Sequence, residues 1–118
     1  MNRILFAGLS SGSGKTAVTC ACLRALQKKG ISAASFKCGP DYIDPMFHQR
    51  VLGIPGENLD LFFADAKTLQ RQIASYEQRC KIAVLEGVMG YYDGLGGVSD
   101  RDSTWDVACA TNTPVILV

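Results

Sequence analysis

Ile4-Leu5-Phe6-Ala7-Gly8-Leu9-Ser10-Ser11-Gly12-Ser13-Gly14-Lys15-Thr16 is an apolar run, then a turn of glycine and serine, then Lys-Thr at the head of a helix-forming segment. A short apolar run that breaks at once on glycine reads as a buried strand leaving the sheet. From Ala17 to Lys29 apolar residues recur at Val18, Cys22, Ala25 and Leu26, and Lys28-Lys29-Gly30 closes the stretch. Late cations followed by glycine are a helix C-terminus signal. Strand, glycine loop and helix in that order form a cradle for polyphosphate. Glycines let backbone N–H groups converge on the oxygens, and the helix N-terminus adds the positive end of its dipole. The expected binding residues are Ser11, Gly12, Ser13, Gly14, Lys15 and Thr16, with Lys15 on the outer phosphates and the Thr16 hydroxyl on Mg²⁺. The spacing departs from the commonest form: Gly8 lies seven residues before Lys15, and Leu9 holds the usual first-glycine place.

Outward from the cradle, Ile31 to Cys38 reads as a second strand. Gly39 to Gly56 is loop-rich and proline-bearing, with a short helix near Phe47 to Leu52. Asp65 to Arg79 has helical spacing through Ala66, Leu69, Ile73 and Tyr76. Ile82-Ala83-Val84-Leu85 is unbroken apolar sequence before Glu86-Gly87, as a parallel strand buried on both faces requires. A glycine-rich loop, a helix from about Ser103 to Thr111 and a strand at Pro114 to Val118 complete the order. Alternating strands and helices predict an α/β domain: three layers, a parallel sheet with helices on both faces. The chain stops inside a strand, so the expectation is that residues 1–118 are the N-terminal part of a longer, truncated domain.

Composition narrows the function classes. The chain has 118 residues, 47% apolar, which suits one compact domain. Twelve basic and eleven acidic residues give a formal charge of +1 and no basic stripe, which argues against a nucleic-acid partner. No apolar run approaches bilayer length, and the N-terminus lacks a secretory pattern, so no membrane partner is expected. Five scattered cysteines contain no C-x-x-C pair and have only His48 to join them as a nitrogen ligand. Reduced thiols in a cytoplasmic protein fit that pattern better than disulfides or a cysteine-held metal.

Acidic residues supply the remaining candidates. Glu86 follows its apolar run directly and is expected at the carboxyl edge of the sheet, facing the phosphates with Mg²⁺ to compensate its charge. Buried inside the sheet it would cost several kcal/mol unless paired. Phe36-Lys37-Cys38-Gly39-Pro40-Asp41-Tyr42-Ile43-Asp44-Pro45 follows the second strand and brackets Tyr42 and Ile43 between Asp41 and Asp44. Gly-Pro-Asp and Asp-Pro are common turn formers, so composition alone reads this segment as an ordinary turn. The glycines of Gly87 to Gly97 suggest either a lid or a plain loop. His48 reads as a loop histidine and Trp105 as a core or interface residue.

Taken together, the segments resemble the N-terminal domain of the cobyrinate a,c-diamide synthase family, the glutamine-dependent corrin amidases, over nearly the whole chain. Lys37 to Pro45, Asn58-Leu59-Asp60 and Glu86-Gly87-Val88-Met89-Gly90-Tyr91-Tyr92-Asp93-Gly94 are the most specific stretches. Ser103-Thr104 before a helix and Pro114 to Val118 also fit. The related cobyric acid synthases carry a different segment after the second strand, and the dethiobiotin synthetases share the cradle but lack that segment. The resemblance implies a dethiobiotin-synthetase-like P-loop NTPase fold, and amidation of cobyrinate or hydrogenobyrinate using ATP and Mg²⁺. It further implies ammonia from a glutaminase domain that this chain does not contain, and it is compatible with a homodimer. By residue, it implies Thr16, Asp41 and Glu86 on Mg²⁺, Tyr42, Ile43, Asp44 and Asp93 toward the corrin carboxylate, and Lys15, Asp44 and Asp93 in catalysis. The main rival reading, beside a dethiobiotin-synthetase-like carboxylate ligase and a fragment that only binds nucleotide, is a partition- or septum-placement-type ATPase switch. Ser10 stands where those proteins usually carry a second lysine, five residues before Lys15, which counts against it.

Overall fold

The computed structural model describes residues 1–10, 12–39, 43–61, 64–92 and 103–118, those at 43–47 and 89 by backbone alone. The opening apolar run becomes β1, Asn2–Gly8, and the segment after the cradle becomes α1, Lys15–Lys28. β2 (Ala33–Cys38), α2 (Ile43–Leu52), β3 (Gly56–Leu59), α3 (Ala66–Ala74), β4 (Ile82–Gly90), α4 (Thr104–Thr111) and β5 (Val115–Leu117) follow. Among the described residues the sheet has five strands in the order β3-β2-β4-β1-β5, and the pairs are parallel. The three-layer α/β expectation therefore holds.

The two faces of the sheet carry separate cores. Leu5, Ala7, Ala34, Phe36, Cys38, Ala83 and Leu85 face α3 and α4, packing with Leu69, Ile73, Tyr76, Val107 and Ala108. Phe6, Ala33 and Val84 face the other way, with Leu23, Cys22 and Leu26 of α1 and Leu52 of α2. This division follows from right-handed crossovers. The connections β1-α1-β2 and β2-α2-β3 run one way along the sheet, and β3-α3-β4 and β4-α4-β5 run back, so the helices fall on opposite faces.

Element boundaries differ from the sequence reading in several places, each for a local reason. α3 ends at Ala74 rather than Arg79 because the chain tightens into turns, Tyr76 N–H donating to Ile73 O at 3.2 Å and Glu77 N–H to Ala74 O at 3.1 Å. β2 starts at Ala33, not Ile31, because α1 ends in a Schellman turn: Gly30 N–H donates to Gln27 O at 3.0 Å and Ile31 N–H to Leu26 O at 3.0 Å. α2 begins at Ile43, four residues before the expected helix. β3 was not anticipated; Gly-Glu-Asn-Leu is poor strand sequence, and its extension comes from pairing Gly56 to Leu59 with Ser35 to Cys38. β4 runs on past Leu85 to Gly90 because β1 and β2 continue the ladder beside it.

Candidate nucleotide-binding site

β1 and β4 are neighbours, yet the chain leaves β1 toward α1 on one face and leaves β4 toward α4 on the other. Beyond their paired carboxyl ends the connections lead to opposite faces, and such a divergence is where open α/β sheets bind ligands. The cradle sits there. Gly8 pairs with Gly90, and its carbonyl accepts Tyr91 N–H at 2.7 Å. A Cβ on Gly8 would lie 1.9 Å from Ser13 Oγ, so a side chain there would displace Ser13 where the loop folds back over the strand. Gly12 and Gly14 stand at φ 74° and 99°, left-handed values that turn the loop into the helix.

α1 starts without a side-chain cap. Its first N–H groups are therefore not engaged by a cap and aim outward, the arrangement that suits an anion. Gly12, Gly14, Lys15, Thr16 and Ala17 line a hollow of about 260 Å³ in front of that turn. Lys15 is buried and bends across the loop, its Nζ donating to Ser10 O at 3.2 Å. Ser13 Oγ is buried with no hydrogen-bond partner among the described residues. A buried orphan hydroxyl is costly, and a phosphate oxygen is the kind of acceptor that would relieve it. Thr16, in the first turn of α1, is exposed.

Glu86 is not at the strand exit as expected. It lies inside β4, opposite Phe6 on β1 and Lys37 on β2, and is 1% exposed. Lys37 Nζ bonds Glu86 Oε2, which offsets the burial of both charges. Registered residues of a parallel sheet share a face, and Phe6 packs with Leu23 of α1, so Glu86 faces the α1 side where Lys15 and Thr16 begin their helix. Next to this pair, burial first of all pushes the Cys38 thiol up to about 12, with Lys37 opposing and Glu86 adding. It is held protonated at neutral pH and is no nucleophile.

Of the other expected residues, Ser11, Asp41, Tyr42 and Asp93 lie outside the described residues, and Ile43 and Asp44 fall in the first turn of α2 with their side chains outside them. The flank of the segment 40–42 at Gly39 is nonetheless anchored twice. Asn58 Nδ2 donates to Gly39 O at 2.8 Å, and Gly39 N–H donates to Leu59 O at 2.8 Å. His48, far from being a loop residue, is buried on α2, with Nδ1 2.7 Å from Ser35 Oγ and Nε2 3.5 Å from Cys20 Sγ. Ser103 caps α4 and Thr104 Oγ1 accepts from Val88 N–H at 3.0 Å, so that pair braces β4. Trp105 is half-buried near Tyr92, ring centroids 6.2 Å apart.

Sequence reading gave no role to Lys37, His48 or Asn58. A lysine in the interior of a parallel strand needs a carboxylate to meet it, but the sequence alone does not place β2 beside β4, so Glu86 is identified as that carboxylate only by the register. Among the described residues no three His, Cys, Asp or Glu side chains gather as a metal cluster. Magnesium needs no such cluster, since it is commonly held by one or two carboxylates, a hydroxyl and phosphate oxygens.

Residues 4–92 match the family model described as CbiA: CobQ/CobB/MinD/ParA nucleotide binding domain. Proteins named cobyrinate a,c-diamide synthase are similar over the whole chain. That of Listeria monocytogenes serovar 1/2a is 47% identical over 119 residues, covering 100% of this chain and 26% of its own length. Those of Saccharolobus solfataricus and Thermoplasma volcanium are 45% and 44% identical, covering 100% and 98% of this chain and 26% and 25% of their own. The chain thus spans about a quarter of the length of the curated relatives it matches.

Proposed function

The chain belongs to the CobQ/CobB/MinD/ParA nucleotide-binding domain family, and from that membership we propose that it is the ATP-binding part of an enzyme amidating the a and c carboxylates of cobyrinate or hydrogenobyrinate. The observation that carries the reading is the uncapped first turn of α1 behind a glycine loop, with Lys15 across it and Glu86 on the same side of the sheet. Relatives named cobyrinate a,c-diamide synthase, alike over all or nearly all of this chain, support the corrin as the acid.

A carboxylate is a poor electrophile with a poor leaving group, and phosphorylation by ATP corrects both faults before ammonia attacks. The acid oxygen takes the terminal phosphoryl and ADP leaves; ammonia then adds at the acyl carbon and phosphate departs with the C–O bond. Mg²⁺, when bound, neutralises charge on the phosphates during transfer. The chain's own work is positioning and charge. Amides at Ser11, Gly12, Ser13 and Gly14 cradle the phosphates, and Ser13 Oγ gains the partner it lacks. Lys15 swings from Ser10 O to the outer phosphates, the flexible four-carbon stem allowing that short move. Thr16, Asp41 and Glu86 are hard oxygen donors suited to Mg²⁺; Glu86 has two oxygens, so Lys37 and an ion need not compete for one. Tyr42, Ile43, Asp44 and Asp93 are assigned to the corrin carboxylate, with Asp44 and Asp93 taking part in the chemistry beside Lys15. We propose further that residues 1–118 form the N-terminal part of the synthetase domain and that a glutaminase domain of the intact protein supplies the ammonia.

The test is stoichiometry. With cobyrinate and glutamine or ammonia, the intact enzyme should release one ADP and one phosphate per amide formed, and almost none without the corrin. Lys15→Ala should remove ATP binding, measured by titration calorimetry, and amidation with it. ATP turnover that ignores the corrin and responds to a protein partner would overturn the reading in favour of a switch.

A further inference from the structure

Resting on the reading above, we infer that His48 is a positioning residue that fixes the corrin-facing segment at the start of α2 at a set distance from the nucleotide cradle. Its imidazole is 2% exposed and sits where α1, α2 and β2 meet, with Nδ1 2.7 Å from Ser35 Oγ and Nε2 3.5 Å from Cys20 Sγ. Each contact is one structural period from a residue of the site. Cys20 lies one helical turn beyond Thr16 along α1, Ser35 lies two residues before Lys37 on the same face of β2, and Asp44 lies one turn before His48 along α2. The ring therefore joins the element that grips the nucleotide, the strand that holds Glu86 and the helix that opens with Ile43 and Asp44.

Chemistry favours a spacer over mere filling. Leucine would fill the same interior volume without bringing two nitrogens out of water, and a buried nitrogen is tolerable only when bonded. Ser35 and Cys20 can each donate or accept, so the neutral imidazole satisfies both partners in either tautomer. A flat ring held at both ends keeps its two neighbours at a fixed separation, which a flexible side chain does not. Sliding α2 against α1 breaks at least one of these contacts. The phosphoryl group and its acceptor must meet within a few tenths of an ångström, and an error of about 1 Å can cost on the order of a hundredfold in rate.

Three variants of the intact enzyme test the inference: His48→Leu, His48→Asn and His48→Gln. His48→Leu should leave the dissociation constant for ATP within about twofold of the native value while the KM for corrin rises and kcat falls about tenfold or more. His48→Asn, whose amide reaches where Nδ1 sits, should regain the Ser35 contact and recover much of the loss; His48→Gln, reaching toward Cys20, should recover less. Amide hydrogen exchange supplies a readout independent of the reaction: His48→Leu should speed exchange across 43–52 and spare 15–28. Unchanged kcat and KM would overturn the inference, as would ATP affinity and melting temperature falling in step with kcat without rescue by Asn. If the native enzyme fails to amidate the corrin, the proposed function falls instead. Exchange then decides alone, and unchanged protection of 43–52 in His48→Leu overturns the strut.

Discussion

Lys37 and Glu86 decide at the residue scale whether the middle of the sheet can carry charge. Each ion costs several kcal/mol to take out of water, and the attraction between them repays this only when both are present. Lys37→Met removes the cation that Glu86 Oε2 bonds in β4, where the carboxylate is 1% exposed, and should cost about 3–5 kcal/mol, read from the urea midpoint. For a domain whose total stability is on the order of 5–15 kcal/mol, that is a large share. The double variant Lys37→Met/Glu86→Leu should recover most of the loss, because neither charge is then left buried. A Lys37→Met protein with a native midpoint would mean that Glu86 has another compensating charge of equal weight. The sequence singled out the carboxylate as the end of an apolar run but placed it at the strand exit rather than inside β4; its partner was not legible, because nothing in a linear string says that β2 lies beside β4. His48 was hidden for the same reason, its two partners lying 13 and 28 residues away.

The end of α1 and the start of α3 were legible in the sequence, whereas the start of α2 and the end of α3 were not. Asp65 caps α3: its carboxylate accepts from Thr68 N–H at 2.8 Å and from Thr68 Oγ1 at 2.7 Å. These two hydrogen bonds, the hydroxyl's first, hold the Asp65 carboxyl below its usual range. A group whose folded value is depressed stabilises the fold above its unfolded value, and that contribution is lost as pH falls through the folded value. Melting temperature should therefore carry an acid limb below the ordinary carboxylate range, about pH 4 and downward. Asp65→Asn keeps a capping oxygen but no charge, so it should retain the neutral-pH stability and shrink that limb; Asp65→Ala should lose stability at neutral pH. An unchanged limb in Asp65→Asn would assign the acid sensitivity to other carboxylates. The Schellman turn at Gly30 was equally readable, whereas β3 was not: its strand character is conferred by β2 and cannot be found in Gly-Glu-Asn-Leu.

For the whole molecule, alternation of elements announced the three layers, but strand order came from packing, with β4 inserted between β1 and β2. That insertion makes the crevice; β5, paired with β1 on the side away from β4, is at an edge among the described residues. Ile116 and Leu117 are 46% and 56% exposed there, on opposite faces of the sheet beside Phe6 and Ala7. An edge ladder flanked by apolar side chains is a template for pairing with another chain. The 118-residue chain by itself should associate reversibly as its concentration rises, seen by sedimentation velocity, with or without ATP. Leu117→Lys places a charge on that edge and should hold the chain monomeric. The same experiment separates the two functional readings. Association through β5 is driven by the apolar edge ladder itself, so it should not require nucleotide even though Val118, just past β5, lies near Gly14 of the cradle. A dimer that forms only with ATP, and survives Leu117→Lys, points to a nucleotide-gated interface and to the switch reading.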